Sequence, residues 1–138
     1  MIKIKYDAEL IKIMSLFETV TQAKLKDCFI SNDKIFFVVE ENQLARAVGK
    51  KGINVRKVEN ILKKRIRIVE YNPNLQRFII NLIYPSRVKN IEENGRVVIL
   101  SAEDLKTRGY LICRNAQNLR EFESIIKRYF DIEELKVV

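Results

Sequence analysis

The sequence predicts an α+β fold made of two tandem copies of one small module, each a small three-stranded sheet packed on helices. The order helix, strand, strand, helix, turn, helix, strand can be read twice along the 138 residues. A shift of 64 positions brings identical residues into register, namely Asn54 with Asn118, Arg56 with Arg120 and Glu59 with Glu123. The dipeptide Asn72-Pro73 is typical of a turn, which places the boundary between the copies near residue 71. We therefore expect one domain over residues 1–71 and a second over residues 72–138.

The elements of the first copy follow from the spacing of its apolar and capping residues. Asp7 can cap a helix whose apolar residues lie at the i, i+3, i+4, i+7 spacing of one buried face, namely Leu10, Ile13, Met14 and Phe17. Residues 27–40 predict two strands around a polar turn at 31–33. A short helix then ends at Gly49, a second helix runs from Gly52 to about Lys64, and residues 65–70 form the closing strand.

The second copy shows the same order of elements, with different residues at its turns and helix ends. Its first helix ends at Pro85, and two strands follow on either side of Asn94-Gly95, a strong hairpin signal. Ser101 with Asp104 three residues later resembles a capping box for a short helix. The last helix has apolar residues at helical spacing, namely Leu119, Phe122, Ile126 and Tyr129, and residues 134–138 form the closing strand.

The charge of the chain predicts a polyanionic partner. Lysine and arginine number 26 against 18 acidic residues, giving a net charge of +8 and a pI near 9.6. Residues 1–70 carry 15 basic and 9 acidic side chains, whereas residues 71–138 carry 11 and 9. We therefore expect the first copy to supply most of the electrostatic attraction.

The composition also excludes several classes of protein. Histidine is absent, which removes the commonest general base and metal ligand, and no Walker or dinucleotide motif is present. Cys28 and Cys113 are far apart and form no C-x-x-C pair, so neither a zinc cluster nor a disulfide framework is indicated. The sequence has no apolar run long enough for a bilayer span, and its N-terminus is charged. We expect a non-enzymatic, cytoplasmic protein, monomeric, with no metal or cofactor and no membrane partner.

Residues 47–59, "AVGKKGINVRKVE", contain the most informative motif. Gly49 and Gly52 flank two lysines in a turn between two helices. Glycine permits backbone dihedrals closed to other residues and lets another chain approach closely. The turn should expose backbone N–H groups at a helix N-terminus, where the dipole favours negative charge. Since residues 44–67 hold nine basic side chains and one acidic one, phosphate is the expected ligand.

This segment resembles the G-x-x-G loop of the KH domain, which clamps the backbone of about four nucleotides. The element order is similar to the prokaryotic, type II, KH arrangement. Two such modules in tandem, with "VVEENQLARAVGKKGINVRKVENILKKRIRIVEY" in the first, resemble the archaeal NusA family of transcription elongation and termination factors. The resemblance implies binding of single-stranded nascent RNA beside RNA polymerase, with effects on pausing, termination or antitermination.

We predict RNA-binding residues in both copies. In the first they lie in and beside the intact GKKG loop, namely Arg46, Val48, Gly49, Lys50, Lys51, Gly52, Asn54, Arg56 and Lys57. In the second they surround the degenerate loop Cys113-Arg-Asn-Ala116, namely Arg114, Asn115, Gln117, Asn118 and Arg120. Because that loop lacks both glycines, we expect close backbone approach to be weakened. A reduced RNA contact and a purely structural second copy both remain open.

Two other functions fit the same residues. A KH protein of the ribosome or of RNA processing would use the same loop on another RNA. A protein-interaction adaptor of RNA polymerase would use its KH surfaces for protein contacts, and the degenerate second loop favours this alternative.

Overall fold

The structure of the protein is a computed structural model that describes residues 7–138. The charged N-terminal residues 1–6, on which the prediction of a cytoplasmic location partly depends, lie outside the described residues. The described chain forms two compact units, residues 7–73 and 74–138. Each unit is α+β, with one three-stranded sheet packed on helices, and the predicted fold class of two tandem KH-type modules is confirmed.

The two units contain the same elements in the same order. The first contains α1 (Ala8–Thr21), β1 (Leu25–Ser31), β2 (Lys34–Val39), α2 (Leu44–Val48), α3 (Ile53–Leu62) and β3 (Arg65–Glu70). The second contains α4 (Leu75–Ile83), β4 (Val88–Asn94), β5 (Val97–Ala102), α5 (Leu105–Ile112), α6 (Gln117–Lys127) and β6 (Glu134–Val137). A single 3₁₀ turn joins the last two helices of each unit, at Lys50–Gly52 and at Arg114–Ala116.

The two sheets also share their topology. In each, the first two strands form an antiparallel hairpin, and the closing strand pairs in parallel with the second strand of that hairpin. The first strand of each hairpin carries an irregularity in register, between Leu25 and Asp27 and between Val88 and Asn90. This bulge was not predicted, and its repetition shows that the two units match below the level of element order.

The core of the first unit fixes the two helices that flank its glycine loop. Phe37 on β2 stacks on Phe17 of α1, with ring centroids 4.1 Å apart and planes 12° from parallel. Ala47 on α2 and Val58 on α3 are completely buried in the same cluster. Since one buried residue anchors each helix to the sheet, the turn between them is held at a defined place outside the core.

The core of the second unit is built in the same way. Phe78 on α4 is completely buried and meets Tyr129 edge-on, with centroids 5.4 Å apart. Leu111 on α5 and Leu119 on α6 are buried, and both helices contact β6. Helix α6 ends at Lys127, so Tyr129 lies beyond it and packs on Phe78 instead of continuing the helical face.

Two details of the second unit differ from the sequence prediction. The capping box was wrong: Ser101 is part of β5, paired with Asn90, and Asp104 alone caps α5 by accepting the Thr107 N–H at 2.7 Å. The β-ladder holds Ser101 away from the helix, because a strand residue with a backbone partner is not available as a cap. Asn72-Pro73 could also have provided the cap and the first residue of helix α4, but the cap is Asn74, whose Oδ1 accepts the Arg77 N–H at 3.0 Å.

Among residues 7–138, no helix combines the length and the apolar character required to cross a bilayer.

Candidate nucleic-acid interface

The loop between α2 and α3 has a backbone that explains its two glycines. Gly49 has φ 77° and ψ 168°, a combination that is essentially restricted to glycine. Lys51 and Gly52 follow in the left-handed region, at φ 55° and 73°. The Gly52 N–H donates to the Gly49 carbonyl at 3.1 Å and closes the turn. The chain therefore reverses within four residues and enters α3 directly.

The two glycines serve different purposes. A Cβ at Gly49 would lie 2.9 Å from both Asn54 Nδ2 and Ile53 Cγ2, which is closer than real Cβ contacts. A Cβ at Gly52 would meet only Arg56 Nη1, at an ordinary 3.6 Å. Gly49 is thus required by packing and by conformation, whereas Gly52 is required by its left-handed backbone and leaves space beside the loop.

Two side chains from α3 hold the loop. Asn54 Nδ2 donates to the Arg46 carbonyl at 3.0 Å and ties the start of α3 to the last turn of α2. Arg56 Nη1 donates to the Lys51 carbonyl at 2.6 Å and so bonds the loop from a position two residues further along α3. The loop conformation is therefore fixed by α3 itself.

The electrostatics of this corner suit an anion. Five predicted contact residues are exposed and basic, namely Arg46, Lys50, Lys51, Arg56 and Lys57. The first turn of α3 has no acidic residue, so nothing there neutralises the positive end of the helix dipole. Gly49, Gly52, Val48 and Asn54 are half-buried. The arrangement presents backbone and side-chain positive charge from the same few residues.

The second loop keeps the backbone of the first without its glycines. Cys113 has φ 63° and ψ 178°, as Gly49 has, and Ala116 has φ 57° and ψ 28°, as Gly52 has. Asn115, at φ 56°, matches Lys51. The Ala116 N–H closes the turn on the Cys113 carbonyl at 3.2 Å. Loss of the glycines has therefore changed the side chains of the loop and not its path.

The residue at the start of the following helix removes one of the close contacts that a Cβ would make at this position of the loop. In the first loop a γ-methyl of β-branched Ile53 occupies the space that a Cβ on Gly49 would need. The equivalent residue in the second loop is Gln117, which is not branched at Cβ. Asn118 Nδ2 still donates to the Tyr110 carbonyl at 2.8 Å, the same bond over eight residues as in the first unit.

The arginines of the two units have different partners. Arg120, the counterpart of Arg56, donates to Glu123 Oε2 at 3.1 Å, and the Glu123 side chain is only 12% exposed. Arg114, Asn115, Gln117 and Arg120 are exposed, and Asn118 is half-buried. The second loop thus has fewer basic groups, and one of its arginines is paired with a carboxylate.

Each set of predicted residues lies together within its own unit, along the loop and the helix ends that flank it. Sequence reasoning missed the role of one matched pair. Glu59 Oε2 accepts the Ile66 N–H at 3.0 Å, and Glu123 Oε2 accepts the Leu135 N–H at 2.9 Å. Both carboxylates tie the last helix of a unit to its closing strand. The identity of Glu59 and Glu123 at the 64-residue shift was the signal available for this.

A profile of the KH domain family matches residues 12–108, more than half of the chain, and includes the first loop but not the second. The chain is 31% identical over 126 residues to "Probable transcription termination protein NusA" of Halococcus morrhuae, covering 90% of this chain and 91% of that protein. The chain belongs to the KH-domain family and to its archaeal NusA group. The NusA of Methanococcus vannielii, which has the same full name, is 30% identical over 139 residues, covering 99% of this chain and 80% of the relative.

The fold of this NusA-like KH protein also matches a solved structure. The crystal structure of APE1850 superposes with a TM-score of 0.77 at 22% identity, covering 96% of this chain and all of that one. This likeness supports the arrangement of helices and strands. Together, the family and the fold support an RNA-binding, NusA-like factor.

Proposed function

We propose that the protein is a transcription factor that binds single-stranded nascent RNA through tandem KH domains and modulates elongation, termination or antitermination. The observation that supports this most directly is the glycine loop at residues 49–52, which has a defined backbone conformation, two exposed lysines and further basic side chains around it. The relatives carry the name "Probable transcription termination protein NusA", and that name supports the transcriptional role.

The proposed binding step is the capture of the sugar-phosphate chain by the first loop. Positive charge is supplied by backbone N–H groups at the start of a helix and by Lys50 and Lys51. The glycines have no side chain that would block the approach of the RNA backbone. Lysine is a strongly hydrated point charge that fits phosphate without fixing a base identity. Binding of this kind tolerates many sequences and weakens as salt rises, because counterions are released from the RNA.

The second loop is proposed as a weaker RNA contact than the first. Its backbone repeats that of the first loop, and Arg114 remains beside it. However, a Cβ at Ala116 occupies the side of the loop that Gly52 leaves open, and Arg120 is paired with Glu123. We assign the larger share of RNA affinity to residues 1–71 and the smaller share to residues 72–138.

The remaining parts of the proposal concern the cellular setting. We propose a non-enzymatic, monomeric protein that acts in the cytoplasm beside RNA polymerase. The family membership supports this setting, and the loop chemistry is binding chemistry, since it offers charge and hydrogen-bond donors to a polyanion.

A matched pair of loop variants tests the RNA-binding proposal. Gly52→Asp places a carboxylate and a Cβ where phosphate is expected, and Ala116→Asp adds a carboxylate at the equivalent position of the second loop, where a Cβ is already present. Binding of a short fluorescent single-stranded RNA is measured by anisotropy at several salt concentrations, with circular dichroism confirming the fold. We expect Gly52→Asp to lose at least about tenfold in affinity and Ala116→Asp to lose less. Wild-type affinity in folded Gly52→Asp would show that the loop is not the RNA site.

The adaptor alternative rests on the loss of both glycines from the second loop. It predicts that polymerase capture is insensitive to Gly52→Asp and to added ribonuclease. A pull-down of archaeal RNA polymerase with the two variants, with and without ribonuclease, separates this alternative from the RNA-dependent one.

A further inference from the structure

The loop at residues 49–52 keeps three consecutive carbonyls bonded to donors from its own unit. The Gly49 carbonyl accepts the Gly52 N–H, and the Lys50 carbonyl accepts the Ile53 N–H. The third, on Lys51, has no such backbone donor in the turn and accepts Arg56 Nη1 at 2.6 Å. Because carbonyl oxygens carry partial negative charge, a loop that receives phosphate must keep them occupied or turned away. Arg56 completes that set.

Arg56 bonds the loop although a glutamate lies at the same spacing from it as the glutamate that Arg120 bonds in the second unit. Glu59 lies three residues after Arg56, as Glu123 lies three residues after Arg120. Arg120 does donate to Glu123, at 3.1 Å. The two helices thus carry the same Arg-x-x-Glu pattern, and only in the first does the arginine bond the loop.

The bond acts on a segment whose backbone angles are unfavourable for residues with a side chain. Lys51, with φ 55°, and Gly52, with φ 73°, are successive left-handed residues, and the left-handed region is unfavourable for an L-residue such as Lys51. A hydrogen bond with a charged donor is among the stronger ones, and it restrains the whole Lys51–Gly52 peptide because that peptide is planar. A fixed peptide plane gives the loop one orientation before any ligand arrives.

We propose that Arg56 is a positioning residue, which holds the glycine loop in its phosphate-receiving conformation through the Lys51 carbonyl, and that this bond distinguishes the first loop from the second. The inference rests on the proposed function, since it explains how the RNA site is kept ready. It also revises the role expected for Arg56 from sequence, from a contact with RNA to a contact with the loop that binds RNA.

The test compares Arg56→Ala with two matched variants, Lys57→Ala beside it and Arg120→Ala in the second unit. Backbone ¹⁵N order parameters are measured on the whole protein without RNA. We expect the order parameters of residues 50–52 to fall from about 0.85 to about 0.6 in Arg56→Ala only, with β2 unchanged. Arg120→Ala should leave residues 114–116 unchanged, because Arg120 bonds Glu123. Unchanged loop order in Arg56→Ala would overturn the proposal.

The RNA titration supplies the second measurement. A residue that contacts phosphate directly lowers the slope of log K against log salt by about 0.7 when removed, and we expect this for Lys57→Ala. For Arg56→Ala we expect a loss of about five- to tenfold in affinity with the slope unchanged. A slope reduced by about 0.7, as in Lys57→Ala, would make Arg56 a phosphate contact and overturn the positioning role. If the wild type failed to bind RNA, the proposed function would fall, and the order parameters would still decide the bond between Arg56 and the loop.

Discussion

Alanine substitution of the two loop glycines should have unequal effects on stability. At Gly49 the φ and ψ values belong to a region that costs about 1–3 kcal/mol for a residue with a side chain. The new Cβ would also displace Asn54 Nδ2, 2.9 Å away, and weaken its bond to the Arg46 carbonyl, worth about 1 kcal/mol. Its contact with Ile53 Cγ2, also at 2.9 Å, should cost about 1 kcal/mol more. Allowing about 0.5 kcal/mol for the reduced entropy of the unfolded chain, we expect a net loss of about 2.5–4.5 kcal/mol.

At Gly52 the same substitution should cause a smaller loss of stability. A left-handed alanine costs about 1–2 kcal/mol, and a Cβ there meets only Arg56 Nη1 at 3.6 Å. With the same entropic allowance, we expect a net loss of about 1 kcal/mol. The difference between the two variants should therefore be at least about 1 kcal/mol.

Native-state hydrogen exchange is the appropriate assay, because the chain has two compact units and a single unfolding midpoint would mix them. The amides of Phe37 and Val39 in β2 report opening of the first unit, since both residues are completely buried there. We expect their exchange to quicken about 60- to 1,500-fold in Gly49→Ala and about fivefold in Gly52→Ala, at 1.4 kcal/mol for each factor of ten. Equal effects, or a larger effect at Gly52, would refute the reasoning.

The second unit supplies a compensating change. Cys113 carries a Cβ at the position of Gly49, and the next helix begins with unbranched Gln117 where the first unit has Ile53. We expect Ile53→Gln to recover about 1 kcal/mol of the loss in Gly49→Ala, because the crowded γ-methyl is removed. The double variant shows whether packing against Ile53 or the backbone angle alone excludes a side chain at Gly49. Additivity of the two single changes would show that the γ-methyl contact does not matter.

Three further outcomes are expected. Nuclear magnetic resonance titration should place the pKa of Asp104 below its usual 3.8, because the Thr107 backbone N–H donates to the ionised carboxylate and stabilises it. The stability that this cap contributes is complete above the pKa of the unfolded state and is lost as pH falls through the lowered pKa of the folded state. A measured pKa at or above 3.8 would contradict this. Phe17→Ala removes the ring stacked on Phe37 and should destabilise the first unit by about 3–5 kcal/mol, measured by exchange in β2, so a loss under about 1 kcal/mol would argue against that core. A thiol reagent should modify exposed Cys113 in the native protein and buried Cys28 only after unfolding, so two fast thiols would contradict the burial.

The fold could be predicted because its determinants are local. Asp7 caps α1 by accepting the Leu10 N–H at 2.8 Å, and the helical spacing of apolar residues places Phe17 in the core. Strand alternation gave β3 as residues 65–70. Where two local signals competed, sequence reasoning failed: Ser101 looked like a helix cap, but pairing with β4 retains it in β5. The preferences of single residues do not decide whether a serine caps a helix or pairs in a strand.

The loops show a different limit of sequence reasoning. The glycines of the first loop could be predicted to adopt left-handed angles, but nothing local predicts those angles for Cys113 and Ala116. The surrounding helices impose them, since Leu111 and Leu119 anchor both ends of the turn in the core. The bond from Arg56 to the Lys51 carbonyl was equally out of reach, because the same Arg-x-x-Glu pattern produces a different bond in the second unit.

The residues that are identical between the two units indicate which functions the repeat has kept. Asn54 and Asn118 join the helices on either side of each loop, and Glu59 and Glu123 tie a helix to the closing strand. These pairs preserve the bonds that hold the two helices and the closing strand around each loop. The differences fall on the groups that would meet a phosphate, where Lys50-Lys51 is replaced by Arg-Asn and both glycines gain side chains. The same bonds around one basic loop and one altered loop are what we expect if the first unit makes the stronger RNA contact and the second a weaker or purely structural one.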